Sequence, residues 1–260
     1  MKLDNIDTLL EKLEPVIRHA GDIMLSADDA EEHVSQKSGR KNFVTDYDVM
    51  VQNYLQSELK RICPEAEFVG EESNNASEVS GLRFIVDPID GTTNFMQGYR
   101  SSSVSVALAD GDETLLGLVL NPYTDELFTA VSGGGAFLNG SEIHVSERKL
   151  EDGLALVGTS PYYSENTDAT FALIRRVFEH SRDIRRGGSA AYDICRIACG
   201  RGDLFFEMAL QPWDYAAAAL IVREAGGVTK TYDGGRPSLS MASNFFCCSK
   251  PIEKEFMAII

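Results

Sequence analysis

Apolar side chains recur near the helical period over residues 4–27, where Ile6, Leu9, Leu10, Leu13, Val16, Ile17, Ile23 and Met24 form one stripe. The spacing predicts a single helix with room for a bend at Pro15. Residues 31–44 (EEHVSQKSGRKNFV) lose that period and mix charge with Ser, Gly and Asn, as an exposed loop or a hairpin does. A second helical stripe, Val49, Met50, Tyr54, Leu55, Leu59 and Ile62, fills 46–62 behind Thr45, with Asp46 and Asp48 at its positive N-terminal end. Beyond it the period shortens. Strand-like runs are expected at 67–70, 82–87, 102–109, 115–120 and 126–131, divided by Gly, Asn-Pro and Gly-Gly-Gly turns.

The rest of the chain alternates more evenly. A strand at 154–159, a helix near 165–180, a strand near 183–186 and a helix near 189–199 capped by Ser189 are followed by a strand at 203–208. Pro212 then opens an Ala-rich helix that stops before Gly226-Gly227, and the tail returns to a strand at 244–249 and a short helix from Pro251. No repeat and no long linker separates the parts, so an N-terminal α/β half (1–150) and a C-terminal α/β half (151–260) are expected to form one compact unit. The simplest packing of these elements is a layered αβαβα sandwich of the α/β (α+β) class.

Composition narrows what such a fold can do. With 24 Lys and Arg against 40 Asp and Glu, the formal net charge of −16 repels polyanions, which disfavours nucleic acid as a partner. The five cysteines (Cys63, Cys195, Cys199, Cys247, Cys248) form an odd set without a C-x-x-C pair, unlike a disulfide framework or a structural zinc site, and suit a reducing cytoplasm. No apolar run approaches the roughly 20 residues of a membrane span, and no signal-peptide pattern opens the chain. His19, His33, His144 and His180 lie in no motif and are read as surface or packing residues.

The candidate chemistry is carboxylate chemistry. In LRFIVDPIDGTTNF (82–95) an apolar strand delivers Asp87, turns through Pro88 and presents Asp90. Gly91 lets the backbone approach a ligand, and Thr92 and Thr93 open a short helix whose N–H groups suit a phosphate. Asp-Pro and Asp-Gly pairs are also ordinary turn formers, so each pair alone carries little.

DPIDGTTNF, preceded by GEES at 70–73 and followed by PWDYAAA at 212–218, resembles the inositol monophosphatase family of lithium-sensitive, magnesium-dependent phosphatases. The likeness extends from Lys37 through VTDYD (44–48) and RGGSAA (186–191) to EAGG (224–227) and covers nearly the whole chain. It implies up to three Mg²⁺ ions. Glu71, Asp87, the Ile89 carbonyl and Thr92 match the first metal site, Asp87, Asp90 and Asp214 the second, and Glu71 a weaker third with water. Oxygen ligands with several waters are what Mg²⁺ prefers.

The resemblance further implies that Thr92 and Asp48 orient and deprotonate the attacking water beside Glu71, and that the Gly91 and Thr92 N–H groups hold phosphate. Asp90, Ser189, Ala190, Glu207 and Asp214 match substrate contacts, and Lys37 matches a loop lysine near the metals. Ser189 stands where the family also uses threonine. Taken without the family, Asp48 and Asp214 are helix-start carboxylates complementing a dipole and Lys37 is a solvated loop residue; Arg185 and Arg186 are candidate contacts to a substrate or a partner subunit, with surface salt bridges as the blander alternative.

The expected activity is Mg²⁺-dependent hydrolysis of inositol 1-phosphate or a similar polyol or sugar phosphate. Fructose-1,6-bisphosphatase, nucleotide 3′-phosphatase and histidinol-phosphatase activities use the same scaffold, and fold cannot separate them. A non-catalytic scaffold binding a basic protein is the alternative of another class. Homodimerisation and lithium inhibition follow from the resemblance alone.

Overall fold

The computed structural model describes residues 3–27, 34–36, 43–72 and 81–260. Helix α1 (Leu3–Leu25) runs unbroken through Pro15, and the ribbon β1 (Val34–Gln36) and β2 (Phe43–Thr45) pairs antiparallel, the hairpin alternative for that stretch. Helix α2 (Asp46–Ile62) follows, capped by Thr45, whose backbone N–H and hydroxyl both donate to Asp48 Oδ2 at 2.7 and 2.5 Å. A carboxylate at the third helical position reaching back to the cap satisfies a donor the helix cannot.

Next come β3 (Glu67–Gly70), β4 (Leu82–Asp90), a single-turn helix α3 (Thr92–Met96), β5 (Ser103–Asp110), β6 (Glu113–Asn121), β7 (Glu126–Val131), β8 (Ala136–Leu138) and β9 (Ser141–Glu142). These seven strands form one sheet in chain order, β3 and β4 parallel and the rest antiparallel. The remaining elements are β10 (Leu154–Val157), α4 (Thr167–His180), β11 (Asp183–Arg185), α5 (Ala190–Ala198), β12 (Leu204–Leu210), α6 (Pro212–Glu224), β13 (Val228–Lys230), β14 (Ser243–Cys248) and α7 (Lys250–Met257). Their strands build a five-stranded sheet ordered β11-β10-β12-β14-β13.

Three apolar clusters give the layers. Leu9, Leu13 and Ile17 of α1 and Val51 and Leu55 of α2 pack on Phe84, Val106 and Leu118 on one face of the larger sheet. The opposite face, with Ile85, Ala107 and Val119, meets α5 and α6, which also carry Phe205 and Phe245 of the smaller sheet. Leu173 and Val177 of α4 and Ile252 and Phe256 of α7 cover the outer face of that sheet. The order is αβαβα, as the alternation of elements predicts. Helix α6 is buried on all sides from Tyr215 to Val222, which fits its Ala-rich sequence: a helix between two sheets has no solvent face to make polar. Among the described residues, no helix is long and apolar enough to cross a membrane.

Two features depart from the sequence expectation. Strands β8, β9 and β13 have no counterpart in it, because runs of two or three residues are too short to show a period, and pairing with a neighbour selects them. The other is β4, which does not turn at Pro88 but continues to Asp90 through a bulge: Asp87 pairs with Ser105 and Asp90 with Ser103, three residues of one strand against two of the other. Pro88, which has no N–H to give the ladder, sits in the irregular step.

Gly117 of β6 marks where α6 lies closest to the sheet, since a Cβ there would stand 2.7 Å from the Ala217 carbonyl oxygen. Gly117→Ala is therefore expected to destabilise the protein by about 1–3 kcal/mol, the usual cost of forcing extra volume into a packed core. Urea unfolding at equilibrium checks it, and a variant as stable as wild type would mean that the helix can move away at no cost.

Candidate active site

The bulge decides which way the acidic pair points. Along an unbroken strand Asp87 and Asp90 would face opposite sides of the sheet, because side chains alternate. The additional residue resets the alternation. Ile85 and Asp87 face α5 and α6, Ile89 turns to the α1–α2 side, and Asp90 returns to the inner face opposite Ser103. Gly91 follows with φ of +89°, a conformation that side chains disfavour, and a Cβ on it would meet the Gly188 carbonyl oxygen at 2.9 Å.

One cleft collects the residues singled out in the sequence. It is lined by Glu71, Asp87, Ile89, Asp90, Gly91, Thr92, Ser189, Ala190, Glu207 and Asp214, which come from both sheets and from the N-terminal ends of α3, α5 and α6. Glu71 leaves the end of β3 with its N–H on the Val86 carbonyl, while the next residue, Glu72, donates its N–H to Gln52 Oε1 of α2 at 2.9 Å. Asn94 ties the two halves together across the cleft, its amide donating to the carbonyls of Ser101 and Gly187.

Asp48 is not in the lining. It lies behind Thr92, whose hydroxyl donates to Asp48 Oδ1 at 3.4 Å and has the Ile89 carbonyl at 3.3 Å. Since Oδ2 serves the cap of α2, the helix-start reading and a position beside Thr92 hold together, one oxygen for each. Asp214 repeats the device at the third position of α6, accepting the Gln211 N–H at 2.7 Å through Oδ2. Lys37 lies outside the described residues.

Asp90 carries a second correction. Ser189 stands at the cap of α5, but its hydroxyl makes no bond to its own helix and instead donates to Asp90 Oδ2 at 2.6 Å. The N–H groups of Ala190 and Ala191 donate to the same carboxylate at 3.1 and 2.7 Å. Helix α5 is thus capped by a carboxylate from the other sheet. Charge at that end is favoured by the helix dipole.

The electrostatics are those of crowded acids. Asp87 is pushed well above the usual carboxylate range, first by burial and then by Glu71, Asp90, Asp214 and Asp48. Burial also raises Asp90, to about 6, against the hydrogen bonds from Ser189, Ala191 and Ala190. Asp214 is raised well above its ordinary value by loss of water and then by Asp90 and Glu71, and burial raises Glu207 to about 7. Asp87, Asp90 and Asp214 have no basic partner among the described residues.

This donor set fits a hard divalent cation. It offers several carboxylate oxygens, a carbonyl and a hydroxyl around open space, and, once ionised, charge that a bound cation would offset. Among the described residues no three acidic, histidine or cysteine side chains close into a ready-made metal cage. Mg²⁺ does not require one, because it keeps several waters and uses one or two carboxylates at a time.

A sequence model described as the inositol monophosphatase family matches residues 5–259, the length of the chain but for its ends. The chain belongs to the inositol monophosphatase family. Similar relatives include an inositol-1-monophosphatase of Rhizobium meliloti, 38% identical over 85% of this chain and 84% of that protein. A protein of Xylella fastidiosa named Nus factor SuhB is also 38% identical, over 84% of this chain and 79% of its own. Among solved structures, the extragenic suppressor protein SuhB of Bartonella henselae superposes with a TM-score of 0.90 at 34% identity, covering 97% of this chain and 98% of that one. As a member of the inositol monophosphatase family, the protein is a phosphoric monoester hydrolase.

The family motifs do not point to every residue of the cleft. Thr159, Pro161, Tyr162 and Asp193 also line it, beside Arg186, the first residue of RGGSAA. Arg185 forms the expected surface pair, with Asp183, whereas Arg186, also exposed, lines the cleft and donates to Thr159 Oγ1 at 3.3 Å. The Pro161-Tyr162-Tyr163 run just past a strand is the available signal, since loops at strand ends carry function.

Mutual repulsion in the cleft has a measurable consequence. In chelator-treated protein at neutral pH, Asp87→Asn is expected to raise the melting temperature by at least about 2–4 °C, the shift that 1 kcal/mol gives a chain of this size. The folded-state pKa of Asp87 lies above its unfolded value, so the stability linked to its protonation is present at low pH and lost as pH rises. The advantage of the substitution should accordingly shrink as pH falls towards about 4, the ordinary range of an aspartate. Thermal melts across that range check this, and a variant less stable than wild type at pH 7 would refute the repulsion.

Proposed function

We propose that the protein hydrolyses inositol 1-phosphate or a similar polyol or sugar phosphate, with Mg²⁺ as cofactor and water as nucleophile. The observation that carries this is the convergence of Asp87, Asp90 and Asp214, unpaired with any base among the described residues, on a cleft that Glu71 and Thr92 also line. Glu71, Asp87, the Ile89 carbonyl and Thr92 would hold one ion, Asp87, Asp90 and Asp214 a second, and Glu71 a third. Bound there, the ions supply Lewis acidity, acidifying water and neutralising charge on the phosphate and the leaving oxygen.

The chain's own groups do the rest. The Thr92 hydroxyl, next to Asp48 Oδ1, passes the proton of the attacking water to that carboxylate, whose other oxygen is held by Thr45. The Gly91 and Thr92 N–H groups receive phosphate oxygens at the start of α3. Glu207, Asp90, Ser189 and Ala190 meet the hydroxyls of the alcohol part, and the hydrogen bonds from Ser189 and Ala190 keep Asp90 aimed into the cleft.

A homodimer in a reducing cytoplasm fits the family and the five free cysteines, and sedimentation decides the former. The bisphosphatase, nucleotide 3′-phosphatase and histidinol-phosphatase readings share this site. A panel of esters assayed with Mg²⁺ should rank inositol 1-phosphate above adenosine 3′,5′-bisphosphate, and the reverse order would move the substrate class. Lithium at tens of millimolar should inhibit.

The relative named a Nus factor favours a second reading, a binding role that needs no turnover. Asp90→Asn separates them. Loss of a ligand is expected to lower kcat/KM on the order of 100-fold or more. A variant that keeps full phosphatase activity would overturn the ligand assignment.

A further inference from the structure

The turn Thr159–Tyr163, between β10 and α4, forms a wall of the cleft that none of the roles above uses. Its pivot is Ser160, a buried residue other than glycine with φ of +41°. Such a conformation is costly for a side-chain-bearing residue and persists only where its surroundings impose it. Three bonds impose it here. The Ser160 N–H donates to Glu207 Oε1 at 2.6 Å, its hydroxyl accepts the Ala209 N–H at 3.1 Å, and its carbonyl accepts the Tyr163 N–H at 3.0 Å. Tyr163 Oη in turn accepts from Gln211 Nε2 at 3.0 Å, just before α6.

The turn is therefore fastened to β12 and to the start of the helix that carries Asp214, and it projects Pro161 and Tyr162 into the cleft. Tyr162 is 52% exposed, and its hydroxyl has no hydrogen-bond partner among the described residues. A phenol carries its proton at neutral pH and so is an O–H donor there. Two other donors beside it are already engaged, the Asn94 amide on Ser101 and Gly187 and the Ser189 hydroxyl on Asp90, whereas the Arg186 guanidinium lines the same cleft with, among the described residues, only its Nε on Thr159. Glu71, Asp87, Asp90, Glu207 and Asp214 offer acceptors once ionised.

We propose that Tyr162 is a specificity-determining residue whose hydroxyl donates to a free hydroxyl on the alcohol part of the substrate, favouring polyol and sugar phosphates over esters of bare aryl or alkyl alcohols. This rests on the polyol-phosphatase reading above. Glu207 then has two tasks, meeting the substrate and, through Ser160, setting the turn that presents the phenol. A site that hydrogen-bonds a substrate hydroxyl discriminates against analogues lacking it, because its own polar group is otherwise left unpaired.

The test compares wild type with Tyr162→Phe, which keeps the ring, on inositol 1-phosphate and on phenyl phosphate in the presence of Mg²⁺. The ratio of KM for inositol 1-phosphate to KM for phenyl phosphate is expected to rise about five-fold, the worth of one neutral hydrogen bond. A KM ratio within about twofold of wild type, well short of that worth, overturns the role of Tyr162, whether both KM values stay put or move together. A wild type that hydrolyses neither ester removes the polyol-phosphatase reading itself, and the role of Tyr162 with it.

Discussion

Negative charge held close to negative charge, out of bulk water, is the constraint on which the molecule turns. Asp87 and Asp90 are buried at the end of β4, and Asp214 faces them from α6. Without cations such a group costs folding free energy, because each carboxylate loses hydration and repels its neighbours. The surrounding structure reads as the means of holding it. A bulge turns Asp90 to the inner face, hydrogen bonds from Ser189, Ala190 and Ala191 fix it, and a helix cap fixes one oxygen of Asp214.

The same economy of atoms recurs at three helix starts. Asp48, Asp214 and Asp90 each satisfy donors at the N-terminal end of a helix, the first two on their own helices and the third on a helix from the other sheet. A carboxylate has room for more than one partner, so a capping oxygen and a functional oxygen can share one side chain. Capping therefore leaves such a side chain able to take a further role.

The two sheets meet where the cleft opens. Helix α6 lies between them along its length, close enough at Gly117 and Ala217 that backbone touches backbone. Rigid packing of that kind keeps Asp214 in register with β4. The Thr159–Tyr163 turn is fastened by polar contacts through Glu207, Ala209 and Gln211. The acid cluster is thus held by apolar packing of α6 together with hydrogen bonds to Asp90 and Asp214, and the Thr159–Tyr163 turn by directed hydrogen bonds.

Much of this was legible in the sequence, for reasons that can be named. Helical stripes in α1 and α2, and the β-rich runs of β5 and β7 between turn residues, are local signals longer than a turn, and they located those elements to within a residue or two. The layered order followed from counting faces that need covering. DPIDGTTNF, GEES and PWDYAAA carried the family, because three motifs in order are specific where each alone is weak. Tertiary structure alone decided the continuation of β4 through Pro88, the capping of α5 by Asp90, the bond of Arg186 to Thr159, and the place of Tyr162 in the cleft wall. Each depends on partners far away in the chain, Ser103, Asp90, Thr159 and Glu207 among them, and a local period holds no record of what will lie across the fold.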